Sequence, residues 1–284
     1  MKANYIAVDM GTTNIDLVWQ DDSGFHLRKL EKIYPLAVDQ IRKALDVVGD
    51  ALYQKSVIGV TGGHYRALPG VLDGYPLYKV DEMCALGLGG LAAAGLEAGL
   101  VVSAGTGTAM VAAHGDSAQH VTGSAVGGGT LIGLSNLILG TSDVDAINRL
   151  ALSGDANKVD IMISEAVGGE IGKLPENANA VNLGKLIQGK DFDREDLAAG
   201  LVRLVAQVIA VIAINAADAA GLSDIILIGH TMDLTAIQKE ISLVGEFYKR
   251  NFIMPVDPGF VTARGVIDVI KRETADGKLN LIDS

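Results

Sequence analysis

Two short segments constrain this chain more than anything else in it: Asp9-Met10-Gly11-Thr12-Thr13 and Ala104-Gly105-Thr106-Gly107-Thr108. Each follows a β-rich apolar run, Tyr5 to Val8 in the first case and Leu100 to Ala104 in the second. Each then turns through glycine and threonine into another such run, Ile15 to Trp19 and Ala109 to Ala113. Runs of this kind, bounded by turn residues, read as strands. A third strand follows in both places, Phe25 to Leu27 after Asp21-Asp22-Ser23-Gly24, and Gln119 to Gly123 after Gly115-Asp116. Val38 to Tyr53 places apolar residues at spacings of three and four, which predicts an amphipathic helix, and Ser56 to Val60 is a strand ending in Thr61-Gly62-Gly63. A βββαβ unit that recurs predicts an α/β fold with a duplicated core and a ligand cleft between its halves.

The remaining elements follow from the same patterns. Asp81 to Leu96 reads as a helix rich in alanine and glycine, a surface that lets another element approach closely, although an interior glycine costs about 1 kcal/mol relative to alanine. Helices are expected from Gly129 to Leu139, Val144 to Leu152, Arg194 to Leu222 and Phe260 to Arg272, with a strand from Asp224 to Ile228. Gly168 to Asp193 is polar and punctuated by Pro175, Asn177, Asn179 and Asn182, so an irregular excursion is expected there, either a lid or a surface loop.

Composition excludes several classes of function. Lys and Arg total 23 against 34 Asp and Glu, a net charge of -11, which repels nucleic-acid phosphates and anionic membranes. Hydrophobic residues make up 49% of the 284 positions, enough for a substantial core. Cys84 is the single cysteine, so no disulfide framework or thiolate metal cluster can form, and a reducing cytoplasm is the simplest compartment. The opening residues 1–8 lack the apolar stretch of a signal peptide. The most apolar run, Leu201 to Ile214, is interrupted by Arg203 and Gln207 and falls short of the roughly 20 residues needed to cross a bilayer, so it reads as a core or interface helix.

Glycine is abundant, 35 residues, and clustered where ligands bind best. At Asp9 to Thr13, small residues let backbone N–H groups turn toward an anion, and Asp9 at a strand end could hold hydrated magnesium against phosphate oxygens. An ordinary hairpin turn has the same composition. Gly105, Thr106, Gly107 and Thr108 repeat the design. Gly123 to Thr130 places Gly127, Gly128 and Gly129 at an expected helix N-terminus, where free N–H groups favour anions, and a glycine hinge is the alternative. Gly229 ends the strand from Asp224 and could face a base or ribose, as many strand-to-helix turns would. For acid–base chemistry the candidate is Glu82, beside Asp81. A carboxylate that accepts a proton from a hydroxyl suits phosphoryl transfer to an alcohol, and either residue could instead cap the helix. The five histidines show no metal-binding spacing.

The ordered series Asp9 to Thr13, Thr61-Gly62-Gly63, Lys79-Val80-Asp81-Glu82, Gly105 to Thr108, His120 to Thr130, Gly154-Asp155, Asn179 to Gly184 and Ile226 to Gly229 resembles the type II pantothenate kinases. These belong to the actin, Hsp70 and sugar-kinase superfamily. The resemblance implies a duplicated actin-like ATPase (ribonuclease H-like) fold with two domains flanking a nucleotide cleft. Residues 1–96, completed by 260–284, would form one domain and 97–259 the other. It further implies transfer of the γ-phosphate of ATP, with Mg2+, to the primary hydroxyl of pantothenate in coenzyme A biosynthesis. Glu82 would be the base, Asp9 would hold the metal, and the glycine loops would grip the nucleotide. The long helices would form a homodimer.

Several positions depart from that pattern. Thr12 stands for a glycine and Asp16 for a lysine. Ala109 stands for a serine, and His120 for an arginine that helps bind the pantothenate carboxylate. His120 and Ala109 are therefore the candidate acceptor contacts. The departures also keep two other readings open: a kinase of the same fold acting on a different alcohol, and an ATP-hydrolysing regulatory protein with no acceptor.

Overall fold

A computed structural model of the chain describes residues 4–32, 37–169, 172, 175–189 and 191–276. Residues 170–171, 173–174 and 190 of the expected excursion lie outside the described residues. So do 277–284 of the expected C-terminal segment and 1–3 of the opening stretch. The chain divides into two compact units, one formed by residues 1–101, 111–120 and 255–284, the other by 102–110 and 121–254.

The first unit is built on a six-stranded sheet with strand order β3-β2-β1-β4-β6-β5. Its meander comprises β1 (Asn4–Met10), β2 (Asn14–Asp21) and β3 (Gly24–Glu31), all antiparallel as the turn spacing predicts. β4 (Ser56–Gly62) lies parallel to β1, which demands a crossover on one face of the sheet. α1 (Ala37–Val48) supplies it, burying Ile41, Ala44 and Leu45 against Ile6, Val8, Met10, Ile15 and Leu17. The helix expected to run from Val38 to Tyr53 is divided. Gly49 adopts φ +88°, outside the helical region, and α2 (Asp50–Tyr53) restarts beyond it.

A short hairpin of β5 (Val71–Leu72) and β6 (Tyr75–Lys79) follows, with β6 parallel to β4. Then comes α3 (Glu82–Ala94), on whose glycine-rich surface lies α9 (Val261–Ala275). The approach is tight: a Cβ on Gly265 would stand 2.0 Å from the Ala85 carbonyl oxygen, and one on Gly89 2.6 Å from that of Val261. The opposite sheet face, with Ala7 and Val18, packs on Ala263, Val266, Ile267 and Ile270 of α9.

The second sheet has the order β13-β12-β7-β8-β9. Its strands are β7 (Ala98–Ala104), β8 (Thr108–His114), β9 (Ser117–Ser124), β12 (Ile225–Ile228) and β13 (Phe252–Ile253). Read from β9 it runs β9-β8-β7-β12-β13. That is the order of the first sheet, β3-β2-β1-β4-β6, so the expected duplication is present in the topology.

The second unit also carries α4 (Gly128–Leu139), α5 (Val144–Ser153), α6 (Ile163–Val167), α7 (Arg194–Ala220) and α8 (Thr235–Tyr248). Among the described residues α7 is the one helix long and apolar enough to cross a membrane, and 61% of its most apolar window is buried inside the fold. The excursion expected to be irregular contributes a strand, β11 (Asn179–Val181), which pairs with β10 (Ile161–Met162) ahead of it in the chain. Main-chain bonds from Ile163 N to Ala178 O and Ser164 N to Glu176 O extend this pairing, contacts that lie too far apart along the chain to show in local composition.

Candidate functional site

In the first unit the candidate residues gather at the carboxyl ends of β1, β4 and β6. Asp9 is half-buried at the end of β1, and its Oδ1 lies so close to Gly62 that a Cβ there would be 2.3 Å away. Gly62 sits at φ +85°, and the next N–H, that of Gly63, donates to Met10 O at 2.8 Å. Gly11 is half-buried, and Thr12 and Thr13 are exposed. Asp16, in the place where the resemblance calls for lysine, is buried and stands directly opposite Asp9 across the β1–β2 pair. An ammonium does reach this loop, from another place. Lys32, just past β3, donates to Gly11 O at 3.0 Å and Thr12 O at 3.2 Å. Composition around the loop gives no sign of this contact, which spans more than twenty positions of sequence.

The start of α3 settles which acid caps it. Asp81 is the N-cap, and its Oδ1 accepts from Met83 N at 3.0 Å and Cys84 N at 3.3 Å. Its Oδ2 accepts from the Tyr65 hydroxyl and from Arg66 Nη2, both at 3.3 Å. Glu82 is therefore released from capping. Burial pushes its carboxyl above the ordinary range, the Asp81 charge pushes it further, and Arg66 opposes them. Behind Tyr65 and Arg66, the Lys79 ammonium donates to the carbonyls of Arg66 and Leu68 and closes the turn that carries them. Cys84 has its thiol raised by burial, the reverse of activation.

In the second unit the candidate glycines form one hydrogen-bonded bracket. Gly128 N donates to Gly105 O at 2.8 Å and Gly129 N to Thr106 O at 2.9 Å. Thr231 Oγ1 donates to the same Gly105 carbonyl at 2.9 Å, and Thr108 Oγ1 to Val126 O at 2.9 Å. A side chain on Gly127 would meet Gly107 backbone at 2.8 Å, and one on Gly129 the Thr106 carbonyl at 2.9 Å. The glycine triplet thus serves first to let two loops touch, and the N–H groups of Gly128 and Gly129 are engaged in holding them. Gly229, at φ +95°, passes the Ala104 carbonyl so closely that a Cβ would lie 2.4 Å from its oxygen. Gly105 differs: its carbonyl is engaged, yet a Cβ there would meet nothing within 4 Å, so the side-chain direction is open. His230, beyond Gly229, pairs through Nδ1 with Asp233 at 2.6 Å. Ala109 is half-buried beside Gly123, and His120 is exposed on β9, three residues before it.

In the first unit the donor chemistry at Asp9 suits a magnesium ion carried on phosphates. Mg2+ is commonly held by one or two carboxylates plus substrate phosphates, and Asp9 is a single hard oxygen donor at a loop edge. Among the described residues no group of three His, Cys, Asp or Glu is placed to hold a metal unaided.

Comparison with known proteins places the fold and the family. A component of the (R)-2-hydroxyglutaryl-CoA dehydratase of Acidaminococcus fermentans superposes with TM-score 0.67 at 15% identity, over 96% of this chain and 100% of that one. A ROK family glucokinase from Streptomyces griseus, solved with glucose and AMPPNP, superposes with TM-score 0.59 at 14% identity, over 95% and 100%. The fold is therefore the actin-like ATPase and ROK kinase fold. A type II pantothenate kinase of Oceanobacillus iheyensis is 27% identical over 233 residues, 80% of this chain and 84% of that protein. One of Bacillus cereus strain G9842 is 25% identical over 271 residues, 92% and 97%. The Fumble family model matches residues 98–257, more than half of the sequence, from the start of β7 to beyond β13, and on that match the chain belongs to the Fumble family.

Proposed function

We propose that this chain transfers the γ-phosphoryl group of ATP to the primary hydroxyl of pantothenate, the first phosphorylation toward coenzyme A. The observation that carries the reading is the division of labour at α3. Asp81 does the capping, and this leaves Glu82 half-buried, with raised proton affinity and not engaged as the cap. A carboxyl so poised accepts the hydroxyl proton as the oxygen attacks phosphorus. Relatives named type II pantothenate kinase, matched along most of the chain, support this acceptor.

In this reading residues 1–96, completed by 260–284, and residues 97–259 are the two actin-like domains. Asp9 holds Mg2+, which neutralises charge on the phosphates when bound. Gly11, Thr12 and Thr13 line the phosphate path in the first domain. Gly105 to Thr108, Gly127 to Gly129 and Gly229 present the nucleotide-binding backbone of the second. His120 and Ala109 contact the acceptor. The chain works as a cytoplasmic homodimer. The half-exposed apolar residues Leu204, Val208, Val211 and Ile212 along α7 and the exposed Leu137 on α4 are the surfaces that support self-association.

The test is ADP release by the purified protein with magnesium-ATP, with and without pantothenate, beside Glu82→Gln. Pantothenate-dependent turnover that the substitution removes is expected. Release that ignores pantothenate in the wild-type protein overturns the acceptor, and a screen of other small alcohols then separates a related kinase from an ATP-hydrolysing regulator.

A further inference from the structure

The turn between β4 and β5 carries a guanidinium whose duty nothing above assigns. Arg66 is 79% exposed, yet its placement is closely determined. His64 enters the turn at φ +67°, Lys79 binds the carbonyls of Arg66 and Leu68, and Arg66 Nε donates to the Tyr65 hydroxyl at 3.1 Å. Its Nη2 and that hydroxyl then converge on one oxygen of Asp81, while the other oxygen of Asp81 caps α3. An exposed arginine kept only for solubility needs no such support. This one lies against the carboxylate that immediately precedes the proposed base.

We propose that Arg66 is a positioning residue for proton transfer: it holds the Asp81 cap from outside and offsets the cap's charge beside Glu82. The proposal rests on Glu82 being the base. The charges that act on Glu82 are those of Asp81, which favours the protonated form, and Arg66, which favours the ionised one. The other elements against α3 add little to this balance. β4 carries no charged residue. On α9, Arg264 and Lys271 lie over Phe25, with Asp268 near both. Arg272 pairs with Asp116, and Glu273 acts on Cys84. Removing Arg66 therefore leaves two acidic groups adjacent and unopposed, and Glu82 gives up its proton at higher pH.

The experiment compares kcat/KM against pH for wild type, Arg66→Gln, Arg66→Lys and Asp81→Asn. In parallel, the Glu82 carboxyl is titrated directly by carbon NMR on glutamate-labelled protein, with Glu82→Gln identifying the resonance. Arg66→Gln is expected to lower kcat/KM about two- to fivefold on the acid side, the span of an exposed charge pair, and to leave the alkaline plateau unchanged. Arg66→Lys restores the profile. Asp81→Asn, which keeps a capping side chain, moves the acid limb the other way. The Glu82 resonance follows the same order. A loss in Arg66→Gln that is uniform across pH, or a Glu82 resonance that titrates as in wild type, overturns the proposal. If the resonance moves as expected while wild type ignores pantothenate, the acceptor assignment falls and the role of Arg66 stands.

Discussion

The two halves of this molecule share one strand order and put it to different chemical use. In the first, the connection from β4 to β6 is a short turn and a hairpin, and what converges is side chains: Arg66 from the turn, Lys79 at the end of β6, then Asp81 and, at the head of α3, Glu82. In the second, the matching connection from β12 to β13 is the full helix α8, and what converges at the strand ends is backbone. Loop carbonyls and N–H groups there are held by Thr231, Thr108 and one another. The first half presents titratable side chains at its strand ends. The second presents fixed dipoles in close approach, with no room for a side chain at Gly127 or Gly229. In the proposed reading, duplication supplied a scaffold on which proton transfer and phosphate binding could be set separately.

The contrast breaks most visibly at Glu82. Glu82→Gln is expected to lower turnover by about 10²- to 10⁴-fold while nucleotide binding persists, measured by ADP release beside nucleotide titration. The same change should make the fold firmer at neutral pH. A carboxyl whose pKa is raised by folding favours the native state while protonated. That contribution is fully present below the unfolded pKa and is lost as pH rises through the folded one. At pH 7 the native state therefore carries the cost of a desolvated charge, and glutamine removes it. A rise in Tm of roughly 1–3 °C at pH 7, vanishing near pH 4, is the expected reading by calorimetry. An unchanged Tm at both pH values would mean that Glu82 is better solvated than its burial suggests.

The second half should respond to methyl groups. Gly229→Ala places a Cβ 2.4 Å from a carbonyl oxygen in a backbone conformation alanine resists, so a destabilisation of about 2–4 kcal/mol is expected in denaturant unfolding. Gly105→Ala adds its methyl to open space and should stay within about 0.5 kcal/mol of wild type. If that space receives phosphate, the variant loses ATP affinity by about tenfold or more, seen by calorimetric titration. Equal stability and equal affinity in Gly105→Ala would detach this loop from the nucleotide.

What could be read from residue order alone divides along the same line. The strand ends at Asp9, Thr61, Ala104 and Ile228 show in the sequence because apolar β-rich runs stop at glycine, and the βββ repeat follows from them. Glu82 shows as an acid at a helix start. Its freedom from capping does not, because either carboxylate could stabilise the free N–H groups of a helix start, and the bonds from Met83 and Cys84 decide between them. The glycine triplet shows as an anion cradle, whereas the structure adds that Gly128 and Gly129 are bound to the neighbouring loop. Lys32 and Arg66 were not legible at all. Each acts across a fold contact, on Gly11 and on Asp81, with no local pattern to mark it. The break at Gly49 is hidden for the opposite reason: the apolar periodicity continues through it, and the chain departs from it only in backbone conformation.

The smallest expected effect gives the first half a reporter of its own. Trp19, the single tryptophan, lies in the meander, and the His26 ring stacks on it at 4.9 Å with 11° between the planes. His26 Nε2 is also 3.1 Å from Asp21 Oδ2 and 3.0 Å from Ser23 Oγ. Ser23, then His26, hold the Asp21 carboxyl down at about 2. A depressed carboxylate contributes stability above its unfolded pKa and loses it only as pH falls through the folded one, so Asp21 stays ionised from pH 8 to 5. The indole thus reports the packing of the meander, because the ring stacked on it is part of its surroundings. His26→Asn should change the emission intensity at pH 7 and leave stability within about 0.5 kcal/mol of wild type. The hairpin is also far from the glycine bracket in chain order, so Gly105→Ala should leave the emission as it is. Emission altered by Gly105→Ala would show that a change in one half is felt in the other. The charge-based and volume-based halves could then no longer be treated as separable.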